Sequence, residues 1–123
     1  CYHNVPVIIV GTGSGLSYAE LGPTHHSCED LAILRTLPNI NILAPADEVE
    51  LRQAMREAIK LKSPTYIRIG KKGEEIIEKK DDSFSIGRSI TVREGKDVCL
   101  IGTGTIMPEI LKAADIISSK NIF

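Results

Sequence analysis

The sequence has 123 residues, enough for one domain with a real core, or one domain plus part of another. At 42% hydrophobic and 25% charged residues it has the composition of a globular chain, which excludes wholesale disorder. Lys and Arg number 15 against 16 Asp and Glu, and the net charge of −1 gives no electrostatic reason to expect nucleic acid or an anionic membrane as partner.

No apolar run is long enough to span a bilayer. The opening Cys1-Tyr2-His3-Asn4 lacks the basic segment of a signal peptide. An odd set of 3 cysteines without framework spacing points to reduced thiols and a cytoplasmic setting. The first and last residues both read as fragment edges.

Val5-Pro6-Val7-Ile8-Ile9-Val10 is a continuous β-branched run and predicts a strand buried on both faces, as in a parallel sheet. Gly11-Thr12-Gly13-Ser14-Gly15 ends it. That spacing is not the G-x-G-x-x-G of a dinucleotide site, so a loop crossing the carboxyl edge of the sheet is the plainer expectation. Residues 17–20 are read as loop. A helix is expected over residues 28–37, opened by Ser27 with Asp30 as a short-armed capping partner and stopped by Pro38.

Ile40-Asn41-Ile42-Leu43-Ala44 is the next predicted strand. Asp47 and Glu50 sit at capping-box positions for a helix running to about residue 62. Leu51, Ala54, Met55, Ala58 and Ile59 recur at helical spacing as its buried stripe. Thr65-Tyr66-Ile67-Arg68-Ile69 is a third strand. The alternation implies a parallel sheet flanked by helices, with ligands beyond the carboxyl ends of the strands. The Gly11 loop, the His25 turn and residues 68–72 all leave strand ends at that edge.

Residues 71–83 carry mixed charge around Ile76-Ile77 and read as a solvated linker with one short edge strand. Short strands are expected over residues 86–92 and 97–101, then the turn Gly102-Thr103-Gly104-Thr105 and a helix over residues 108–119. This begins a second α/β unit.

The candidate site is Gly22-Pro23-Thr24-His25-His26, two imidazoles beside a turn. Adjacent residues point different ways, so one ring faces a ligand, and His25 is the candidate. On residue type alone, an ordinary surface or core histidine is the commoner case. His25, His26 and Cys28 lack a second ligand pair, so no metal site is expected.

With Glu29-Asp30-Leu31-Ala32, Leu37-Pro38-Asn39 and Ala44-Pro45-Ala46-Asp47 following in order, the chain resembles the pyrimidine-binding domain of the transketolase family from about residue 5 to 72. That group includes 1-deoxyxylulose-5-phosphate synthase. Residues 95–121 resemble the start of the family's C-terminal domain. The resemblance implies the thiamine diphosphate-binding fold of the pyrimidine-domain type. It also implies three stretches: residues 1–72 as the later part of the pyrimidine-binding domain, 73–94 as linker, and 95–123 as the start of the C-terminal domain.

It further implies a transferase that uses thiamine diphosphate with Mg2+ to move a two-carbon ketol or acyl unit to an aldehyde. The cofactor supplies the electron sink, and the protein supplies position and proton transfer. His25 aligns with the family histidine that contacts substrate near the reactive carbon. Thr24, His26, Arg68 and Lys71 align with or flank substrate-binding positions, Lys71 where the family often carries a phosphate-binding arginine. The activating glutamate and the metal and diphosphate motif lie outside this stretch. A diphosphate-binding domain or subunit, in a homodimer or heterotetramer, would complete the site.

Leu21 stands where an aspartate often contacts a substrate hydroxyl, and Gly13 where many transketolases have a phosphate-contacting histidine. These departures point to a sugar or keto substrate other than the standard sugar phosphates. The alternatives are a β-type subunit of a 2-oxo acid dehydrogenase, and a non-catalytic oligomerising or nucleotide-sensing α/β module.

Overall fold

The computed structural model describes residues 1–71, 73–77 and 83–122. A three-stranded, all-parallel sheet is formed by β1 (Ile8–Thr12), β2 (Asn41–Leu43) and β3 (Thr65–Ile69), in the order β1-β3-β2. β3 is central, with Thr65 opposite both Ile8 and Asn41. Thr65, Tyr66 and Ile67 are therefore buried. Between the strands lie α1 (Asp30–Leu34) and α2 (Glu48–Lys60), and α3 (Met107–Ser118) follows. The expected parallel α/β architecture is present, and its crossovers are the helices, as parallel strands require.

The cap of α2 forms as its residues dictate. Asp47 Oδ1 accepts the Glu50 N–H at 2.7 Å, and Glu50 Oε2 accepts the Ala46 N–H at 2.8 Å. Asp47 is buried, and its Oδ2 also accepts the Ile77 N–H at 2.8 Å. Ala54 and Ala58 face the core, and Leu51 and Met55 are half-buried. Ile59, expected in the buried stripe, is instead 66% exposed, because no described element covers the last turn of α2.

Several expectations are corrected. The first strand starts at Ile8, not Val5, and Ile9 and Val10 are exposed. β1 is an edge strand here, with a neighbour on one side only among the described residues. The first helix is five residues long instead of spanning 28–37, and Ser27 does not cap it. Its Asp30 carboxylate is engaged by Tyr66 and Arg68 of β3, as described below.

Residues 86–92 and 97–101 form no ladder among the described residues. Their apolar side chains pack loosely instead across an open cleft of about 610 Å3 against α3, with Ile101 88% exposed. A strand is stabilised by its neighbours, and these residues find none. Ile76 and Ile77 likewise lie in no strand, yet Ile77 is buried against the α2 cap, so the charged stretch is pinned at one point. The expectations for Lys72 and for residues 78–82 lie outside the described residues. α3 begins at Met107 with Pro108 in its first turn, where a missing N–H is harmless.

Candidate functional site

The carboxyl ends of the strands gather three segments. The chain leaving β1 is held by the end of β3: Gly13 N–H donates to Gly70 O and Ser14 N–H to Ile69 O, both at 3.1 Å. The Gly11 loop is thus an ordered turn rather than a loose crossing. Gly15 and Ser27 then exchange two backbone hydrogen bonds of 2.9 Å, which ties this turn to the segment just after His26. The histidine turn is a short 3-10 helix, Pro23–His25, entered through Gly22 at φ +75, a left-handed conformation that glycine adopts without strain.

Within that turn His25 is exposed, and its Nδ1 lies 3.0 Å from Thr24 Oγ1. His26 is half-buried, and its Nε2 is buried with no hydrogen-bond partner among the described residues. The two rings differ in exposure, as adjacent residues in a turn should.

Beneath the turn lies a buried polar cluster. Tyr66 and Arg68, two apart on β3, share a face of the sheet. Tyr66 donates its hydroxyl to Asp30 Oδ2 at 2.7 Å, and Arg68 Nε lies 3.2 Å from the same oxygen. Arg68 Nη2 donates to Ser27 O at 2.6 Å. The side chains of Arg68 and Asp30 are only 19% and 14% exposed. Burial pushes the Asp30 carboxyl up, but the Tyr66 hydroxyl, the Leu31 N–H, the Arg68 charge and Ser27 together hold it below its ordinary value. Burial first, then the hydrogen bond and charge of Asp30, push the Tyr66 phenol up to about 12. Gly11 leaves room for this phenol, since a Cβ there would run into the Tyr66 ring.

Above the turn, Tyr18 links the remaining segments. Lys71 Nζ stands 4.8 Å from the centre of its ring, and the His25 ring meets it edge-on at 6.4 Å. Behind, Thr103 Oγ1 donates to Ala44 O at 3.0 Å and Thr105 Oγ1 lies 3.4 Å from Ser14 Oγ, so the turn before α3 closes this edge of the sheet.

Of the residues singled out in the sequence, Thr24, His25, His26 and Lys71 thus gather around one edge. Arg68 is turned inward to Asp30 and Ser27 instead of toward the exposed imidazole. Sequence reasoning reads Tyr18 as loop and Asp30 as a cap, and so misses both. An acid on the first helix facing Tyr-x-Arg on a strand is the available signal for Asp30. Tyr18 carries none, because its partners are distant in sequence.

Residues 1–73 match the family described as transketolase, pyrimidine binding domain. A putative transketolase C-terminal section of Methanocaldococcus jannaschii is 34% identical over 98% of this chain and 39% of its own length. One subunit of the apulose-4-phosphate transketolase of Actinobacillus succinogenes is 37% identical over 99% of this chain and 39% of its own length. Among solved structures, a split gene transketolase described as an inactive β4 tetramer superposes with a TM-score of 0.86 at 33% identity, covering 99% of this chain and 39% of that one. The chain spans about two-fifths of the length of these relatives. The chain belongs to the transketolase family, and its residues 1–73 match that family's pyrimidine-binding domain.

Proposed function

We propose that this chain is part of a thiamine diphosphate-dependent transferase that moves a two-carbon ketol or acyl unit to an aldehyde acceptor. The observation that carries this reading is one juxtaposition at the carboxyl edge of a parallel sheet, inside the stretch that matches the family. There an exposed imidazole, a half-buried imidazole and an ammonium, from His25, His26 and Lys71, gather around one edge. In open α/β sheets this edge is where ligands sit.

The donors present suit the organic end of the cofactor and its substrate. The buried Nε2 of His26 lacks a partner among the described residues, and such an atom is costly unless a ligand supplies one. Among the described residues no group of three His, Cys, Asp or Glu could hold a metal ion. In this reading, donors from a diphosphate-binding domain or subunit outside this chain hold the diphosphate and its Mg2+. When bound, the cofactor supplies the electron sink.

The residues of this chain then bind and move protons. Thr24 engages His25 Nδ1 and leaves Nε2 to face the substrate, where it hydrogen-bonds the oxygen on which charge develops and exchanges a proton with it. Lys71 attracts an anionic substrate group as a point charge, and His26 is the second donor. Arg68, which the resemblance implies as a substrate contact, acts from behind the turn. The domain boundaries near residues 72 and 95, a homodimeric or heterotetrameric assembly, and the cytoplasm as its place belong to the same proposal.

The test is transfer from hydroxypyruvate to an aldehyde by the intact protein with its diphosphate-binding partner, thiamine diphosphate and Mg2+. Cofactor-dependent transfer supports the reading. No transfer, with turnover of a 2-oxo acid to a lipoyl-bearing partner instead, moves the protein to the β-type dehydrogenase subunits.

A further inference from the structure

Tyr18 is a part of this edge to which neither the fold nor the proposed chemistry assigns a task. Its ring lies against Gly13, which has φ +82, and a Cβ at that position would run into the ring. The glycine therefore does two things: it takes a left-handed conformation, and it vacates the seat that the ring occupies. On one side of the ring is the Lys71 ammonium, 4.8 Å from its centre; on another is His25, edge-on at 6.4 Å. Leu16 and Leu21 are exposed on the same loop.

We propose that Tyr18 is a specificity-determining residue, an aromatic post that fixes the Lys71 ammonium at a set distance from His25 and so selects substrates with an anionic end. Lysine is a long, flexible side chain, and an exposed one loses much of its attraction for an anion to rotamer freedom. A ring face draws the ammonium to one place by its quadrupole without neutralising it, as a carboxylate would. The charge remains available to a phosphate, sulfonate or carboxylate. This assignment rests on the transferase reading above and deepens it.

The experiment uses the intact protein with its diphosphate-binding partner, thiamine diphosphate and Mg2+, with hydroxypyruvate as donor. The acceptors are D-glyceraldehyde 3-phosphate and uncharged D-glyceraldehyde, and the readout is the ratio of their kcat/KM values. Tyr18→Leu is expected to lower the ratio about two- to fivefold, as loss of an exposed cation–π contact implies. Tyr18→Phe keeps the ring face and restores the wild-type ratio. In a Lys71→Ala background Tyr18→Leu changes the ratio no further. Tyr18→Met, which fills the seat without a ring, serves if the leucine variant folds poorly.

A ratio unmoved by Tyr18→Leu and Tyr18→Met overturns the assignment. So does a fall that persists without Lys71, or a Phe variant as poor as Leu. No transfer by the wild type to either aldehyde overturns the transferase reading and this assignment together, whereas an active wild type with an unmoved ratio overturns only the assignment.

Discussion

Replacing Arg68 by methionine should destabilise the intact protein by about 3 kcal/mol, the lower end of the cost of breaking a buried ion pair from one side. The guanidinium donates to Ser27 O at 2.6 Å and stands 3.2 Å from Asp30 Oδ2. Both side chains are largely buried. Methionine fills much of the aliphatic volume and returns neither contact. Asp30 keeps the Tyr66 hydroxyl at 2.7 Å, which is why the low end of the range applies. Ser27 O keeps the Gly15 N–H at 2.9 Å.

Urea unfolding followed by far-UV circular dichroism reads the loss. With slopes of about 1–3 kcal/mol per M, the midpoint should fall by about 1 M or more. A pH series adds a sign. The Asp30 carboxyl is held below its ordinary value, so its contribution is present above the unfolded value of about 3.9 and is lost as pH falls through the folded value. Without Arg68 one of the influences that hold the carboxyl down is gone, so it protonates at higher pH than in the wild type. The gap between wild type and variant should therefore narrow in acid, and Asp30→Asn combined with Arg68→Met should cost less than the two single changes added together. A loss under about 1 kcal/mol at pH 7, or one indifferent to pH, would refute the account of Arg68 and Asp30 as a stabilising buried ion pair.

Two further outcomes follow from the geometry. Asp47→Ala removes the α2 cap and the acceptor of the Ile77 N–H together, so it should cost about 2–4 kcal/mol, with a matching loss of amide-exchange protection at Ile77. His25→Ala should lower turnover about a hundredfold or more while leaving the urea midpoint in place, because the ring is exposed and its contacts with Thr24 and Tyr18 are peripheral to the core. Equal turnover in that variant removes His25 from the mechanism.

What could be read from the sequence was local. Asp47 and Glu50 cap α2 because both partners lie within one turn. The three strand runs were legible because β-branched stretches bounded by Gly and Pro have few other uses. What escaped was decided at long range. Asp30 looks like a cap in its own neighbourhood, but Tyr66 and Arg68 arrive 36 and 38 residues later in sequence and claim it. Residues 97–101 have a strand's composition, yet a strand exists only where a ladder meets it. The candidate site shows the same division. The His25 turn was visible as a motif, whereas the place of Tyr18 follows from Gly13 on one segment and Lys71 on another, brought together only by the parallel sheet.

The measurement that tests the central claim most directly is a calorimetric titration of thiamine diphosphate with Mg2+ into the intact protein. It is repeated after the diphosphate-binding subunit is added, where that subunit is encoded separately. The account predicts saturable binding that requires both the pyrimidine-binding and the diphosphate-binding halves. Absence of binding in either mixture would contradict the catalytic reading and favour a non-catalytic α/β module.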